Sequence, residues 1–317
     1  MPSNLKKIDF PYQEMKLKEL YFDESYPKAL DGADTEGIRT VLGRPFYFGR
    51  EPEDRPYVYN SLVTSIDGKI AFPDSPQGPL IARNNQYAGK GGTVDYWILN
   101  LLRGSADAIL TGTVGINAEA KTGGTGHCYD EQIECYRESQ GHSPVPLGIV
   151  VTLFADDINF NAAIFRSSEK PLFFYTTKKG ADRLIASQAK QVIIIDEDHI
   201  IPISEISTEH VYALVSGEEM FDHHRGLRIL KRMGVNRLLV ESPTVTHFFI
   251  QEKLMDELFL DYSCVYLGGD AKSIGAGCRS FTSTDHPHTK LISIYMYNPH
   301  FLYFRHQLIY GNEEAEK

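Results

Sequence analysis

The chain has 317 residues, 42% of them hydrophobic, which fits one large globular domain or two small ones. Its 32 Lys and Arg against 42 Asp and Glu give a net charge of −10, and no basic run occurs. This balance argues against nucleic-acid binding as a main role, although a few local cations would still serve a phosphorylated substrate.

Residues 1–50 read as an N-terminal extension that packs on the main domain or on a second subunit. Gln13 to Leu20 suits a short helix, and Asp31-Gly32 and Gly43-Arg44-Pro45 mark turns. Arg55 to Ala71 then organises the chain. Pro56 opens an extended run with apolar or aromatic residues on both faces, the pattern of a central strand covered on both sides. The strand runs into Ser65-Ile66-Asp67-Gly68-Lys69, where Gly68 permits a left-handed turn. An acid and a base thus stand at a strand end, where open α/β sheets bind ligands. The plainer reading of Asp-Gly-Lys is a solvated turn.

Phe72 to Gly92 reads as a loop, and Thr93 as the cap of a helix with Val94, Trp97, Ile98, Leu101 and Leu102 on its buried stripe. Arg103 lies in its last turn, with Gly104 just beyond. Strands follow at Ala106–Thr111, Leu147–Leu153, Leu172–Tyr175, Gln191–Ile195, Val211–Val215 and Arg237–Glu241. Gly112 to Gly115 reads as a small-residue turn and Thr122 to Gly126 as a mobile loop. Helices are expected at Lys179–Gln188, at Asp222–Met233 and from Thr244 onward. Glu257–Tyr262, Leu291–Tyr297 and Phe301–Tyr310 close the pattern as strands. Strands alternating with helices, then closing strands, predict an α/β fold with a mostly parallel mixed sheet and an antiparallel edge. The expected organisation is an extension at 1–50, one domain at 51–311 and a frayed tail at 312–317.

Three blocks carry a resemblance. Ser65-Ile66-Asp67-Gly68-Lys69-Ile70-Ala71 is the first. Leu101-Leu102-Arg103 with Ala106-Asp107-Ala108-Ile109-Leu110-Thr111-Gly112 is the second. Gly234-Val235, Leu238-Leu239-Val240-Glu241, Pro243-Thr244 and Met255-Asp256-Glu257-Leu258 form the third. In this order they resemble the riboflavin-biosynthesis pyrimidine reductases, the C-terminal domain of the bifunctional deaminase–reductase. The resemblance spans Arg55 to about Gly269 and implies a dihydrofolate-reductase-like fold with helices on both faces of the sheet.

It further implies a cytoplasmic, NADPH-dependent reductase of a ribosylamino-pyrimidine 5′-phosphate, commonly a homodimer. Asp67, Lys69 and Glu241 would be catalytic, and Ser65, Arg103 and Glu241 would hold the substrate. Gly112, Thr113, Gly115, Glu119, Thr152, Ser216, Gly217, Ser242, Pro243 and Thr244 would meet the cofactor. Arg103 has a plainer reading as a cation at a helix C-terminus. The hydroxyls of Thr152, Thr176 and Thr177 have one as donors to nearby carbonyls.

Two departures stand out. Gly115 replaces a usual Thr, and Glu241-Ser242-Pro243-Thr244 replaces the usual Glu-Gly-Gly-Pro-Thr, which predicts weakened NADPH binding. A paralogue reducing another pyrimidine or pterin-like heterocycle, or a non-catalytic nucleotide-binding relative, are the alternatives. The aromatic run Tyr295, Tyr297, Phe301, Tyr303 and Phe304 would either form a dimer contact or close the sheet.

No apolar run approaches the roughly 18 residues of a membrane span, and the N-terminus lacks the apolar core of a secretory signal. Cys128, Cys135, Cys264 and Cys278 form no Cys-x-x-Cys pair and have no His cluster at zinc spacing, so they read as free cytosolic thiols with no metal. The His-x-Glu and Pro-Cys-x-x-Cys signature of the deaminase half does not occur, so no deaminase activity is expected.

Overall fold

The computed structural model describes residues 7–26, 28, 32–118, 128–161, 165, 171–188 and 190–311. The first elements are β1 (Lys18–Phe22), β2 (Gly32–Ala33), α1 (Glu36–Leu42) and β3 (Phe46–Tyr47), followed by β4 (Tyr57–Asn60) and β5 (Leu62–Thr64). Next come α2 (Leu80–Arg83), α3 (Gly91–Ser105), β6 (Ala108–Gly112), α4 (Thr113–Ala118), α5 (Glu131–Ser139), β7 (Leu147–Val151) and β8 (Leu172–Thr176). The rest are α6 (Lys178–Ser187), β9 (Val192–Ile195), β10 (Val211–Val215), α7 (His223–Arg232), β11 (Arg237–Val240), α8 (Pro243–Gln251), β12 (Glu257–Ser263), β13 (His288–Asn298) and β14 (Phe301–Ile309).

Twelve strands form one sheet in the order β1-β13-β14-β12-β4-β11-β6-β7-β8-β10-β9, with β5 also on β12. From β12 to β9 the pairing is parallel, and β14, β13 and β1 add an antiparallel edge. This is the mixed sheet expected, with β4 and β5 of the Arg55–Ala71 stretch inside it. All four residues of β4 are buried, as a strand covered on both faces requires. The single strand expected there is broken at Ser61: β4 lies between β11 and β12, whereas β5 stays on β12 alone. The sheet thus splits beyond Asn60, between β5 and the end of β11.

One core packs α3 against Tyr57, Tyr59 and Phe259 and includes Phe10, Met15, Ile38, Val41 and Phe48 from the first fifty residues. A second core packs Leu227, Leu230, Phe249 and Ile250 of α7 and α8 against Val58, Leu110, Leu238 and Val240. Helices therefore cover both faces.

Several local expectations change. Gln13–Leu20 is not a helix. Tyr12–Glu14 makes one 3-10 turn, and β1 follows because its backbone pairs with β13. Strand pairing outweighs the weak helical pattern of so short a run. The 72–92 loop contains α2. α3 begins at Gly91 after Lys90, not at a Thr93 cap. The aromatic ring of Phe301 comes so close that a Cβ on Gly91 would lie 2.6 Å from its Cγ. Gly104 belongs to the last turn of α3, and Thr113 starts α4 where a turn was expected. Tyr295, Phe301 and Tyr303 are buried in the first core, so those members of the aromatic run close the sheet.

Candidate active site

Arg103 and Glu241 meet across the α3 face of the sheet. β11 ends at Val240, and the Glu241 amide donates to Leu110 O at 2.8 Å, which keeps that residue in line with β6. Arg103 Nε donates to Glu241 Oε1 at 2.6 Å and Nη2 to Oε2 at 2.7 Å. This is the two-bond fork that a planar guanidinium offers a carboxylate. The side chains are only 7% and 12% exposed. Burial pulls the Arg103 pKa down, but the Glu241 charge and its hydrogen bonds carry it above the ordinary arginine value.

The turn after β5 is tightly tied. Gly68 takes the expected left-handed conformation at φ 72°. Ser65 Oγ donates to Asp67 Oδ1 at 2.6 Å and accepts the Lys69 amide at 2.9 Å. Asp67 also accepts the amides of Leu267 at 3.2 Å and Gly268 at 2.8 Å, and Lys69 Nζ donates to Gly269 O at 3.1 Å. The Ser65 hydroxyl bond and these amides hold the Asp67 carboxyl at about 2. Asp67 and Lys69 therefore clamp the turn to residues 267–269. Among the described residues neither bonds to Arg103 or Glu241.

The carboxyl ends of the parallel strands carry the remaining candidates. Ladder bonds continue past the strand ends, from Thr152 N to Tyr175 O at 3.1 Å and from Ser216 N to Thr176 O at 3.1 Å. Gly112 closes on Ser242, whose Oγ would lie 2.9 Å from a Cβ there. Gly115 has room for a side chain, whose Cβ would lie 4.0 Å from Thr111 Cγ2. Thr113 and Thr152 hydroxyls both donate to the Asp157 carboxylate, at 2.5 and 2.8 Å. Thr176 and Thr177 hydroxyls donate to Leu153 O, the plainer of their two readings. Ser216 is fully buried, and Gly217 forms a turn so tight that a Cβ would strike Met220 O. Glu119 and the Thr122–Gly126 loop lie outside the described residues.

Thr177 and Asp222 cap α6 and α7 with their side chains, but the Ser242 side chain makes no cap on α8. Pro243 has no N–H, and Thr246 N bonds to Ser242 O. The Thr244 and Val245 amides are thus left without an intrahelical acceptor. Such a helix start suits an anion, and it lies where Ser242 touches Gly112. The residues present fit the phosphate-bearing part of a dinucleotide.

Three residues escaped the sequence reading. Asp157 is one, since no local pattern links it to Thr113. Asp95 of α3 and Asp261 of β12 are the others. Burial raises both carboxyls, Asp95 to about 6 and Asp261 well above the usual range, where the Asp95 charge adds to the effect. A signal existed for Asp261: strand alternation puts it with Glu257 and Phe259 on the buried face of β12.

The sequence profile of the RibD C-terminal domain family matches residues 56–303. A 2,5-diamino-6-ribosylamino-4(3H)-pyrimidinone 5′-phosphate reductase of Archaeoglobus fulgidus is 26% identical over 233 residues, 71% of this chain and 91% of the relative. A pyrimidine reductase-like protein of Corynebacterium diphtheriae superposes with a TM-score of 0.57 at 17% identity, covering 81% of this chain and 94% of that one. RibD of Acinetobacter baumannii superposes with a TM-score of 0.53 at 16% identity over 81% of this chain, which spans 59% of the RibD length. The sheet described above is therefore the dihydrofolate-reductase-like one that the resemblance implies. With its three sequence blocks, its sheet and a profile match over most of its length, the chain belongs to the RibD C-terminal domain family, the reductase family of riboflavin biosynthesis.

Proposed function

We propose that this chain reduces the ribosyl group of a ribosylamino-pyrimidine 5′-phosphate to the ribityl form, with a nicotinamide dinucleotide as reductant. The observation that carries this reading is the uncapped start of α8 beside Gly112, one strand from the Arg103–Glu241 pair. An anion-binding helix start and a polar fork then stand side by side at the carboxyl end of the sheet. The Archaeoglobus fulgidus relative, a reductase of such a phosphate by name, supports the substrate class.

When bound, the nicotinamide supplies the hydride. The chain holds donor and acceptor carbons in register, at the roughly 3–3.5 Å separation that hydride transfer needs. Thr244 and Val245 amides, with the Ser242 hydroxyl, would hold the pyrophosphate. Arg103 spends Nε and Nη2 on Glu241, so Nη1 is its group outside the pair and would meet the substrate. Glu241 would orient the pyrimidine and take part in proton movement at its Oε atoms. Ser65 would contact the substrate, while Asp67 and Lys69 fix the turn that presents it. Residues 51–311 would act as one reductase domain, in a cytoplasmic homodimer. The resemblance implies NADPH as the reductant.

The test is loss of reduced-nicotinamide absorbance with the 2,5-diamino pyrimidinone phosphate and with its deaminated uracil counterpart. Turnover of either supports the reading, and the faster one names the substrate. Cofactor binding with turnover of neither favours a paralogue acting on another heterocycle. Absence of binding favours a non-catalytic relative.

A further inference from the structure

Between the sheet and the first fifty residues lies a cavity of about 50 Å³. One water needs roughly 10–15 Å³, so the cavity has room for a small organic molecule. Its floor is Phe259 and Asp261 of β12, Tyr303 and Arg305 of β14, and Ser293 and Tyr295 of β13. Phe22, Tyr26, Phe46 and Tyr47 line it from the extension, and Ile98 and Leu101 from α3. It stands apart from the Arg103–Glu241 pair. β4 separates its floor from β11, and Arg103 is turned about 200° round α3 from Leu101 at 3.6 residues per turn. The residues from the extension also precede residue 56, where the family match begins. The cavity is therefore something the extension adds to the reductase framework.

Its walls favour a cation. Aromatic faces carry negative charge density, and basic groups already use them. The Arg44 guanidinium lies 3.8 Å from the centre of the Phe22 ring, and that of Arg305 4.9 Å from the centre of the Phe46 ring. Each basic side chain that lines the cavity is matched by an acid. Arg305 forms a two-bond fork with Glu257 at 2.7 and 2.9 Å, Arg44 meets Glu19 at 2.9 Å and Glu24 at 3.0 Å, and Lys28 lies 3.9 Å from Glu24. Asp261 is the acid left over. It is 4% exposed, and the side chain it bonds to is another acid, Asp95. Two carboxyls so placed keep a proton between them and retain one negative charge. Among the described residues no basic side chain forms an ion pair with either, and the exposed Arg83 acts on Asp95 only at longer range.

We infer that this cavity is a second ligand site, which takes a small monoamine cation with a single-ring apolar body. The ammonium donates to Asp261 and meets the aromatic faces, while the body replaces water against Phe259 and Tyr295. The site supplies both things a buried cation needs, a hydrogen-bonded counter-charge and an aromatic wall. The occupant touches the extension and the sheet at once. Its binding therefore fastens the one to the other and adds to stability by mass action.

The test is calorimetric titration of the full chain with benzylamine, benzyl alcohol and benzoate, which share a ring and differ in charge. It is run at pH 8, above the Asp95 value of about 6. Benzylamine should bind about tenfold or more tightly than benzyl alcohol, and benzoate should not bind. Saturating benzylamine should also raise Tm and slow amide exchange at Phe22, Phe46 and Tyr47. The double variant Asp95→Asn with Asp261→Asn removes the charge and keeps the shape, so the amine and the alcohol should then bind alike. Ser293→Leu fills the floor and should abolish binding of both. Benzyl alcohol or benzoate binding as tightly as benzylamine overturns the inference. So does binding of no probe at millimolar concentration, or binding unchanged in the variants that fold. If neither variant folds, the native order of the three probes and the exchange at Phe22, Phe46 and Tyr47 decide the matter. None of these outcomes bears on the reductase reading, whose test is turnover.

Discussion

Arg103 and Glu241 hold each other through two hydrogen bonds of 2.6 and 2.7 Å, from the last turn of α3 to the residue after β11. Sequence reading set each of them separately before the substrate. The structure makes them one unit, whose loss is felt first as stability.

Arg103→Ala leaves the Glu241 carboxylate without its cation in a mostly buried place, and this should cost about 3–5 kcal/mol. The pair Arg103→Met with Glu241→Leu should recover most of that loss, because two apolar side chains need no partner. Urea unfolding of the three proteins checks this. Substrate capture should fall in all variants much more than cofactor capture, and equal losses of both would make the pair purely structural.

Asp67 offers a test by acid. Its folded carboxyl sits at about 2, held first by the Ser65 hydroxyl and then by the Gly268 and Leu267 amides, against an unfolded value near 4. A depressed carboxyl stabilises the fold above the unfolded pKa and loses that effect as pH falls from about 4 towards 2. Asp67→Asn should flatten this part of the acid-unfolding profile. It should also speed amide exchange at Leu267 and Gly268. An unaltered profile with unaltered exchange would mean the clamp does not form in solution.

Asp95 and Asp261 should show the opposite sign. Burial raises both, Asp95 to about 6, so the folded state binds a proton more tightly than the unfolded chain. Their contributions are complete below about pH 4; that of Asp95 is lost as pH rises through about 6, and that of Asp261 is lost as pH rises through its own raised value. Asp261→Asn removes one charge and keeps the shape. Its stability should fall less steeply than that of the native protein as pH rises above about 4, and at pH 8 should exceed it. A variant less stable than native at pH 8 would refute the shared burial.

The start of α8 predicts a loose grip on the cofactor. Pro243 takes away one amide, and Ser242 stands where relatives carry two glycines. One or two missing hydrogen bonds to a charged group, at roughly 1.5–3 kcal/mol each, amount to about tenfold or more in affinity. Replacing Ser242 with Gly-Gly should therefore tighten NADH and NADPH alike, since both carry the pyrophosphate. A gain confined to one of them, or no gain, would place the pyrophosphate elsewhere.

The sheet was legible in the sequence because its strands are short, buried and separated by turn residues. Val211–Val215 was bounded as the structure has it, and the α/β order followed from alternation alone. The turn at Ser65 to Lys69 was legible in its local half, since its serine, aspartate and glycine lie within four residues, whereas its clamp to Leu267 and Gly268 spans 200 and 201 positions. What the sequence could not determine depends on residues far apart along the chain. Glu241 meets Arg103 across 138 positions, and Thr113 meets Asp157 across 44, with no period to join them. The start of α3 was settled by the Phe301 ring against Gly91, and β1 by pairing with β13, a strand near the other terminus. Local pattern selects helix, strand or turn through backbone sterics and side-chain spacing. Which charges pair, which hydroxyls are already bonded and which helix start stays open are decided only when the folded sheet brings distant strand ends together.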